Sequence, residues 1–176
     1  KPFERAFYRQ QRARRLIAIS HVLAREMTQW YGWQKPIDVI YHGTDTRQFR
    51  PAETIAERDA LRDHFKLPRD RWIWMFAGEA VKGLRQAIEH LPEFPDAHLF
   101  VVTRSILEPF KQIAERLGVS DRINFWGFEP KPELAYRVAD VFVYANDYDP
   151  FGMVGAEAMA TGVPIVDVRE PAEFAA

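Results

Sequence analysis

Short apolar runs alternate with amphipathic segments along most of this chain. From residue 72 onward the apolar runs are rich in β-branched and aromatic residues, which favours buried strands. Strands are therefore predicted over residues 72–77, 98–102, 122–126, 141–144 and 163–166. Two earlier runs, residues 16–19 and 37–41, predict two further short strands.

The segments between these strands have the apolar spacing of helices that bury one face. After Lys82, apolar side chains recur at the positions of a single helical face, and Gly118 ends a second such helix. The predicted buried positions are Leu84, Ala87, Ile88 and Leu91, then Phe110, Ile113, Ala114 and Leu117, then Leu134, Ala135 and Val138. Near-continuous apolar strands separated by single amphipathic helices predict an α/β fold, a Rossmann-like parallel sheet with helices on both faces. Ligands of such sheets bind at the carboxyl ends of the strands.

The first part of the chain is basic and contains several aromatic side chains. Residues 1–15 carry six basic side chains against one acid, Glu4. This predicts a basic amphipathic helix that lies on an anionic membrane surface or receives an acidic substrate. A solvated helix whose aromatic side chains pack inward explains the pattern at least as well. Ser20 is then expected to cap a helix through Met27 and Trp30.

A domain boundary is predicted near Pro51. Thr54 and Glu57 have the spacing of a capping box, which predicts a new helix that ends near Phe65. We therefore divide the chain into residues 1–51 and residues 52–176.

Composition excludes several classes of protein. The net charge of −1 leaves no basic footprint for nucleic acid. No apolar run approaches the roughly 20 residues that a membrane helix needs. The absence of cysteine excludes disulfides and thiolate metal sites and fits a reducing compartment. We expect a soluble, cytoplasmic protein, although the missing signal peptide carries little weight because the chain begins with Lys1.

Residues 149–164 predict an anion-binding loop, a short helix and the start of a buried strand. A proline and a glycine interrupt the preceding strand, and the residues from Met153 onward are good helix formers. The first amides of this helix would point into the crevice at the carboxyl edge of the sheet, where a phosphate could bind. Glu157 lies one turn after Met153 on the same face, so its carboxylate can reach toward the loop. Asp149 supplies a second carboxylate.

Each of these charged residues also has a purely structural explanation. Asp149 before Pro150 is a good N-cap followed by proline at the first helical position. Glu157 could be a solvated helix residue. Lys82 could be a surface charge, but a cation at a helix start costs on the order of a few tenths of a kcal/mol, so a bound phosphate explains it better. Arg104 follows a predicted strand and could contact a nucleotide at the same edge.

Several familiar chemistries have no support. Residues 78–83 have the glycine spacing of a phosphate loop, but Leu84 stands where that motif requires lysine. Neither a Gly-x-Gly-x-x-Gly fingerprint nor a Gly-x-Ser-x-Gly elbow occurs. The five histidines lack the spacing of metal ligands, so no metal site is predicted.

The sequence Asp-Pro-Phe-Gly-Met-Val-Gly-Ala-Glu-Ala-Met-Ala-Thr-Gly-Val-Pro, residues 149–164, resembles the donor-site signature of glycosyltransferase family 4. Other stretches agree with that family in the same order: residues 17–20, 39–45, 78–83 and 121–127. The resemblance implies the two-domain GT-B fold. Residues 1–51 would be the end of the N-terminal acceptor domain with the interdomain linker, and residues 52–176 would be most of the C-terminal donor domain.

The resemblance also implies roles at matching positions. Glu157 would bind the donor ribose and Asp149 the transferred sugar, and Lys82 would neutralise the diphosphate, so that Asp149 and Lys82 are the implied catalytic residues. The predicted nucleotide-sugar contacts are Glu157, Phe151, Gly152, Met153, Val154, Gly78, Gly127, Phe128 and Arg104. Within that set, the amides of residues 151–153 would hold the sugar and diphosphate, and Gly127 and Phe128 would line the base.

The implied activity is that of a hexosyltransferase-type enzyme. It would transfer a sugar with retention from a nucleotide sugar, a UDP-sugar by family frequency, to a glycan or glycolipid such as a lipopolysaccharide core. No cofactor and no protein-bound metal are expected, because fixed positive charge and amide dipoles would stabilise the departing diphosphate. Residues 1–15 would contact the inner face of the membrane. The alternatives are a non-catalytic nucleotide-sugar binding module of a larger assembly and a GT-B-fold sugar epimerase.

The chain departs from the family pattern at three places. The first acid is Asp149 rather than glutamate. Glu79 follows Gly78 where many members have an arginine; its carboxylate would repel phosphates, which favours the binding module unless Arg104 or Arg85 compensates. Finally, the family's Gly-rich turn and glutamate do not follow Val166, which predicts a fragment or missing residues.

Overall fold

The computed structural model describes residues 2–146 and 148–167. These residues form two compact units. The first contains residues 2–43 together with residues 149–152, and the second contains the other described residues from 44 onward. The domain boundary near Pro51 remains a prediction.

The first unit is a short α/β segment. It contains α1 (Pro2–Arg9), β1 (Leu16–Ala18), α2 (His21–Tyr31) and β2 (Ile37–Val39). The two strands pair in parallel. The hydroxyl of Ser20 accepts a hydrogen bond from the amide of Leu23 at 3.1 Å, which confirms the predicted cap of α2.

Helix α1 is shorter than the basic helix predicted over residues 1–15. It ends at Arg9, and soon afterwards Gln11 adopts a left-handed conformation with φ of 51°, which a continuing helix cannot accommodate. The side-chain amide of Gln11 donates to the carbonyl oxygen of Tyr8 at 3.2 Å. Tyr8 packs edge-on against an aromatic ring of α2, whereas Phe7 is 47% exposed. The aromatic side chains therefore divide between packing inward and facing solvent.

The second unit is built on a five-stranded parallel sheet. Its strands are β3 (Trp72–Ala77), β4 (Ala97–Val102), β5 (Ile123–Gly127), β6 (Val141–Tyr144) and β7 (Ile165–Asp167). Their order in the sheet is β5-β4-β3-β6-β7, so the winding direction reverses between β3 and β6. Such sheets hold ligands in a crevice at the carboxyl ends of the strands near this reversal. The predicted Rossmann-like α/β fold class is confirmed.

The predicted strands agree closely with the observed ones except at the last. Strands β3 and β6 have the predicted bounds, whereas β7 begins at Ile165 rather than at residue 163. Pro164 has no amide hydrogen and cannot donate to a ladder, although its carbonyl oxygen accepts from the amide of Phe142 at 2.8 Å. The apolar run therefore starts before the regular pairing does.

Helices cover both faces of the sheet. They are α3 (Ile55–His64), α4 (Leu84–His90), α5 (Glu108–Arg116), α6 (Pro132–Tyr136) and α7 (Met153–Ala160). Met75 and Phe76 are adjacent on β3, yet they belong to two different buried clusters, because successive side chains of a strand point to opposite faces. Each face of the sheet therefore carries its own core.

Three helix predictions need correction in detail. Leu117, predicted on the buried face, lies just beyond the end of α5 and is 40% exposed. The hydroxyl of Thr54 accepts from the amide of Glu57 at 3.0 Å, as a capping box requires, but the Glu57 carboxylate accepts from the amide of Glu53 instead of that of Thr54. Helix α6 ends at Tyr136, so Val138 is buried beyond the helix end rather than on its face.

Candidate functional site

A cavity of about 550 Å³ opens at the carboxyl ends of β3, β4 and β5. The turns after these strands line it, together with residues of α6 and α7. Its wall includes Gly78, Glu79, Thr103, Arg104, Ser105, Phe128, Glu129, Tyr136, Val154 and Glu157. The volume falls within the range of sites for small molecules and cofactors.

The turns after β3 and β4 are tied together at the cavity. The amide of Ala80 donates to the hydroxyl of Ser105 at 3.0 Å, and the amide of Ser105 donates to the hydroxyl of Thr103 at 3.0 Å. Gly78 has φ of 123°, a conformation that side chains rarely adopt. Hydroxyl groups and glycine therefore set the shape of this wall.

The turn after β5 provides an aromatic platform. The guanidinium carbon of Arg104 lies 4.0 Å from the ring centroid of Phe128, a cation–π contact, and the Phe128 side chain is 54% exposed. The carboxylate of Glu129 accepts from the indole N–H of Trp126 at 3.1 Å and from the amide of Lys131 at 2.9 Å. The Glu129 carboxylate thus supports the turn that presents Phe128.

Glu157 brings a half-buried carboxylate to the cavity wall. The hydroxyl of Tyr136 donates to Glu157 Oε2 at 2.8 Å. Burial raises the pKa of Glu157, and the hydrogen bond from Tyr136 opposes that rise. Burial, together with the neighbouring Glu157 charge, raises the pKa of Tyr136, which keeps the phenol protonated as a donor. Glu157 Oε1 accepts no hydrogen bond from any residue in the described ranges.

The charges around the cavity are mostly acidic. Within the described residues, the charged side chains of the wall are Glu79, Arg104, Glu129 and Glu157. Lys82 is in the turn after β3, where its amide donates to the carbonyl oxygen of Glu79 at 2.9 Å, but it does not line this cavity. Its role toward a diphosphate remains a prediction.

The loop of residues 149–152 belongs to the first unit. Asp149 Oδ1 accepts from the amide of Phe151 at 3.2 Å and from the amide of Gly152 at 2.7 Å. Because α7 begins only at Met153, Pro150 is not its first helical residue, so the predicted arrangement of Asp149 as N-cap followed by Pro150 in the helix is wrong. Two of the amides predicted to hold a sugar or a diphosphate therefore donate to Asp149, and the ligand roles of this loop remain predictions.

The cavity gathers several of the predicted nucleotide contacts. Gly78, Arg104, Phe128, Val154 and Glu157 line it together. Gly127, at the end of β5, contributes its carbonyl oxygen to the amide of residue 103, and Met153 begins α7. Neither of these two residues is in the cavity wall.

Other residues of the cavity were not predicted from the sequence. Thr103 and Ser105 follow a predicted strand, so the rule that ligands bind at carboxyl ends could have found them. Tyr136 had no local signal, because its partner Glu157 is on another helix.

Residues 2–146 and 148–167 lack both a metal-binding cluster and a membrane-spanning helix. This part of the chain contains no group of three or more His, Asp or Glu residues arranged to hold a metal ion. It also contains no helix long and apolar enough to cross a membrane.

A doubly wound parallel sheet with a cavity at its carboxyl edge is the architecture of Rossmann-like α/β domains. Residues 57–171 match the family model described as glycosyl transferases group 1. The chain belongs to this family, and the predicted family resemblance is confirmed.

Relatives and solved structures agree with that assignment. A D-inositol 3-phosphate glycosyltransferase of Segniliparus rotundus is 34% identical over 169 residues, which is 88% of this chain and 37% of that protein. The chain spans about two fifths of the length of the curated relatives it matches. The crystal structure of WaaG, a glycosyltransferase involved in lipopolysaccharide biosynthesis, is similar with a TM-score of 0.84 and 22% identity, over 94% of this chain and 47% of that one.

A second similar structure contains a nucleotide sugar. Anabaena Alr3699/HepE in complex with UDP-glucose has a TM-score of 0.81 and 22% identity, over 95% of this chain and 50% of that one. At such identities the likeness shows the fold alone.

Proposed function

We propose that this chain is the donor-binding part of a glycosyltransferase that transfers a sugar from a UDP-sugar to a glycan or glycolipid with retention and without a protein-bound metal. The observation that carries the proposal is the Glu157 carboxylate at the wall of the cavity. One of its oxygens is held by Tyr136, and the other has no partner in the described part of the chain. Such an oxygen suits the two hydroxyls of a ribose, which are neutral donors.

The positions proposed for the base and the diphosphate follow from the side chains of the cavity wall. Phe128 and the guanidinium of Arg104 offer a flat surface on which a base can stack. The acidic wall disfavours phosphates inside the cavity, because like charges repel. We therefore put the diphosphate at the first turn of α7, where unpaired amides and the helix dipole favour an anion. Departure of the diphosphate would be assisted by these dipoles and by Lys82.

The donor nucleotide is proposed to be UDP. The similar Anabaena protein was solved in complex with UDP-glucose, and half of that chain has the fold of this one. Calorimetric titration of the full-length protein with UDP, GDP and ADP is expected to give the tightest binding for UDP, and incubation with a UDP-sugar is expected to release UDP. Tightest binding of GDP would overturn the choice of nucleotide.

A second candidate is a non-catalytic nucleotide-sugar binding module. Glu79 favours it, because a carboxylate in this cavity would repel the phosphates of a donor. Measurement of UDP release separates the two functions. The binding module predicts tight binding of the UDP-sugar with no release of UDP, whereas the transferase predicts continuous release in the presence of an acceptor.

The acceptor is proposed to be an anionic glycolipid at the inner face of a membrane, where residues 1–15 would contact the surface. Arg5, Arg9 and Arg12 are exposed, and so is about half of the Phe7 side chain. The protein is expected to sediment with vesicles that contain anionic lipid and to be released as salt is raised. Equal partition to neutral vesicles, unaffected by salt, would contradict this contact.

A further inference from the structure

We infer that Tyr136 is a positioning residue: its hydroxyl holds one oxygen of the Glu157 carboxylate and leaves the other available to a ligand in the cavity. This inference rests on the proposed function, because the ligand group is the ribose of the donor. Tyr136 itself would not touch the reacting atoms. It would act through Glu157.

The position of the Tyr136 hydroxyl is fixed by packing. The residue is fully buried, and its ring packs against Phe49 at a centroid distance of 5.8 Å and against Phe142 at 5.7 Å. Both contacts have tilted or edge-on geometry, which aromatic pairs prefer. A side chain so enclosed keeps one rotamer, so its hydroxyl stays at one place in the wall.

The backbone of Glu157 is equally constrained. Its carbonyl oxygen accepts from the hydroxyl of Thr161 at 2.8 Å and from the amide of Thr161 at 3.1 Å, which secures the end of α7. The long side chain of Glu157 nevertheless has several rotatable bonds, and ordering such a side chain costs conformational entropy. A fixed donor from the core removes that cost before the ligand arrives, which is preorganisation.

The hydrogen bond also affects the charge of Glu157. A partly buried carboxylate tends to bind a proton, whereas a hydrogen bond donated to the ionised form keeps it charged. An ionised carboxylate accepts ribose hydroxyls more strongly than a protonated one. The cavity wall beside Glu157 also contains the charged side chains of Glu79, Arg104 and Glu129. The elements that contact α7 carry Glu133 on α6, Tyr144 on β6 and Asp167 on β7.

The test variant is Tyr136→Phe, because phenylalanine keeps the ring and removes only the hydroxyl. UDP affinity, measured by calorimetry, is expected to fall about tenfold at neutral pH. Affinity for 2′,3′-dideoxy-UDP, which lacks the ribose hydroxyls, is expected to stay within about twofold of its wild-type value. A merely structural role of Tyr136 would weaken both ligands alike.

A second readout needs no nucleotide. Removal of the hydrogen bond is expected to raise the pKa of Glu157, which an NMR titration of the carboxyl carbons measures directly. Since the ionised form binds the ribose, UDP affinity should fall with decreasing pH, and the pH of that fall should be higher in Tyr136→Phe than in wild type. The titration should extend upward from the ordinary range of a glutamate carboxyl, because burial raises the pKa of Glu157.

Two controls separate this effect from a loss of stability. Val138→Ala removes volume from the same buried cluster but no hydroxyl, so it should lower thermal stability and leave UDP affinity unchanged. In a Glu157→Gln background, Tyr136→Phe should weaken UDP no further, because the two residues act as one unit.

The outcomes distinguish the inference from the proposed function. An unchanged Glu157 pKa in Tyr136→Phe, or equal weakening of UDP and 2′,3′-dideoxy-UDP, would overturn the positioning role. Failure of the wild-type protein to bind UDP would contradict the proposed function instead. The NMR titration would then still decide whether Tyr136 acts on Glu157.

Discussion

Replacing Glu157 by alanine is expected to lower kcat/KM for UDP-sugar turnover by at least about 100-fold, which corresponds to about 2.7 kcal/mol of lost transition-state binding. Hydrogen bonds to a charged group contribute roughly 1.5–3 kcal/mol each, and the Glu157 carboxylate can accept one from each ribose hydroxyl. The fold should persist, because Glu157 is only partly buried and its removal exposes a cavity already open to solvent. Steady-state kinetics and circular dichroism measure the two effects.

A matched control for this substitution is Glu89→Ala. Glu89 is an exposed carboxylate on α4 that pairs with Arg85 at 3.2 Å, and it does not line the cavity. Its loss should leave turnover within about twofold of wild type, since exposed pairs contribute little. Unchanged turnover in Glu157→Ala would show that Glu157 does not bind the donor.

Replacing Gly83 by alanine is expected to destabilise the protein by at least about 3 kcal/mol, an effect at the upper end for single substitutions. Gly83 has φ of 107°, and a Cβ atom there would lie 2.2 Å from the carbonyl oxygen of Ala145, just after β6. Neither residue can move easily, because the carbonyl oxygen of Ala145 is part of the backbone and Gly83 is the N-cap of α4. The turn after β3 would have to move, and it carries Gly78 and Glu79 of the cavity wall, so UDP affinity should fall as well.

Gly118→Ala is the matched control for Gly83→Ala. Gly118 also has positive φ, 66°, but a Cβ atom there would meet nothing within 4 Å. Alanine at this position should cost only about 1–2 kcal/mol, the ordinary penalty of a left-handed residue. Chemical denaturation compares the two variants. Equal losses of unfolding free energy would show that the approach of Gly83 to Ala145 has no energetic weight.

Much of the fold was predictable because local sequence and tertiary structure agree. The apolar runs of residues 72–77 and 141–144 became strands with those bounds, since no proline or glycine interrupts them. Because ligands of such sheets bind at the carboxyl ends of the strands, Arg104, Phe128 and Glu157 were predicted to lie at one site. All three, from separate segments of the chain, line the cavity. Periodicity and topology were enough for these elements.

Other features depend on contacts that local patterns do not encode. The hydroxyl of Tyr136 on α6 donates to Glu157 on α7, and no sequence spacing predicts a contact between two different helices. The guanidinium of Arg62 is buried and donates to Asp140 at 2.7 Å, a pairing that the sequence of the predicted helix does not indicate. Long-range partners decided each of these cases.

Calorimetric titration of UDP and of 2′,3′-dideoxy-UDP into the wild-type protein and its Glu157→Gln variant tests most directly whether the cavity binds a nucleotide through its ribose. A site built to bind hydroxyls rejects an analogue that lacks them. We predict that the wild-type protein binds UDP at least about 30-fold more tightly than the dideoxy analogue, and that the variant binds the two within about threefold of each other. Equal affinities in the wild-type protein, or undiminished discrimination in the variant, would contradict a ribose contact at Glu157.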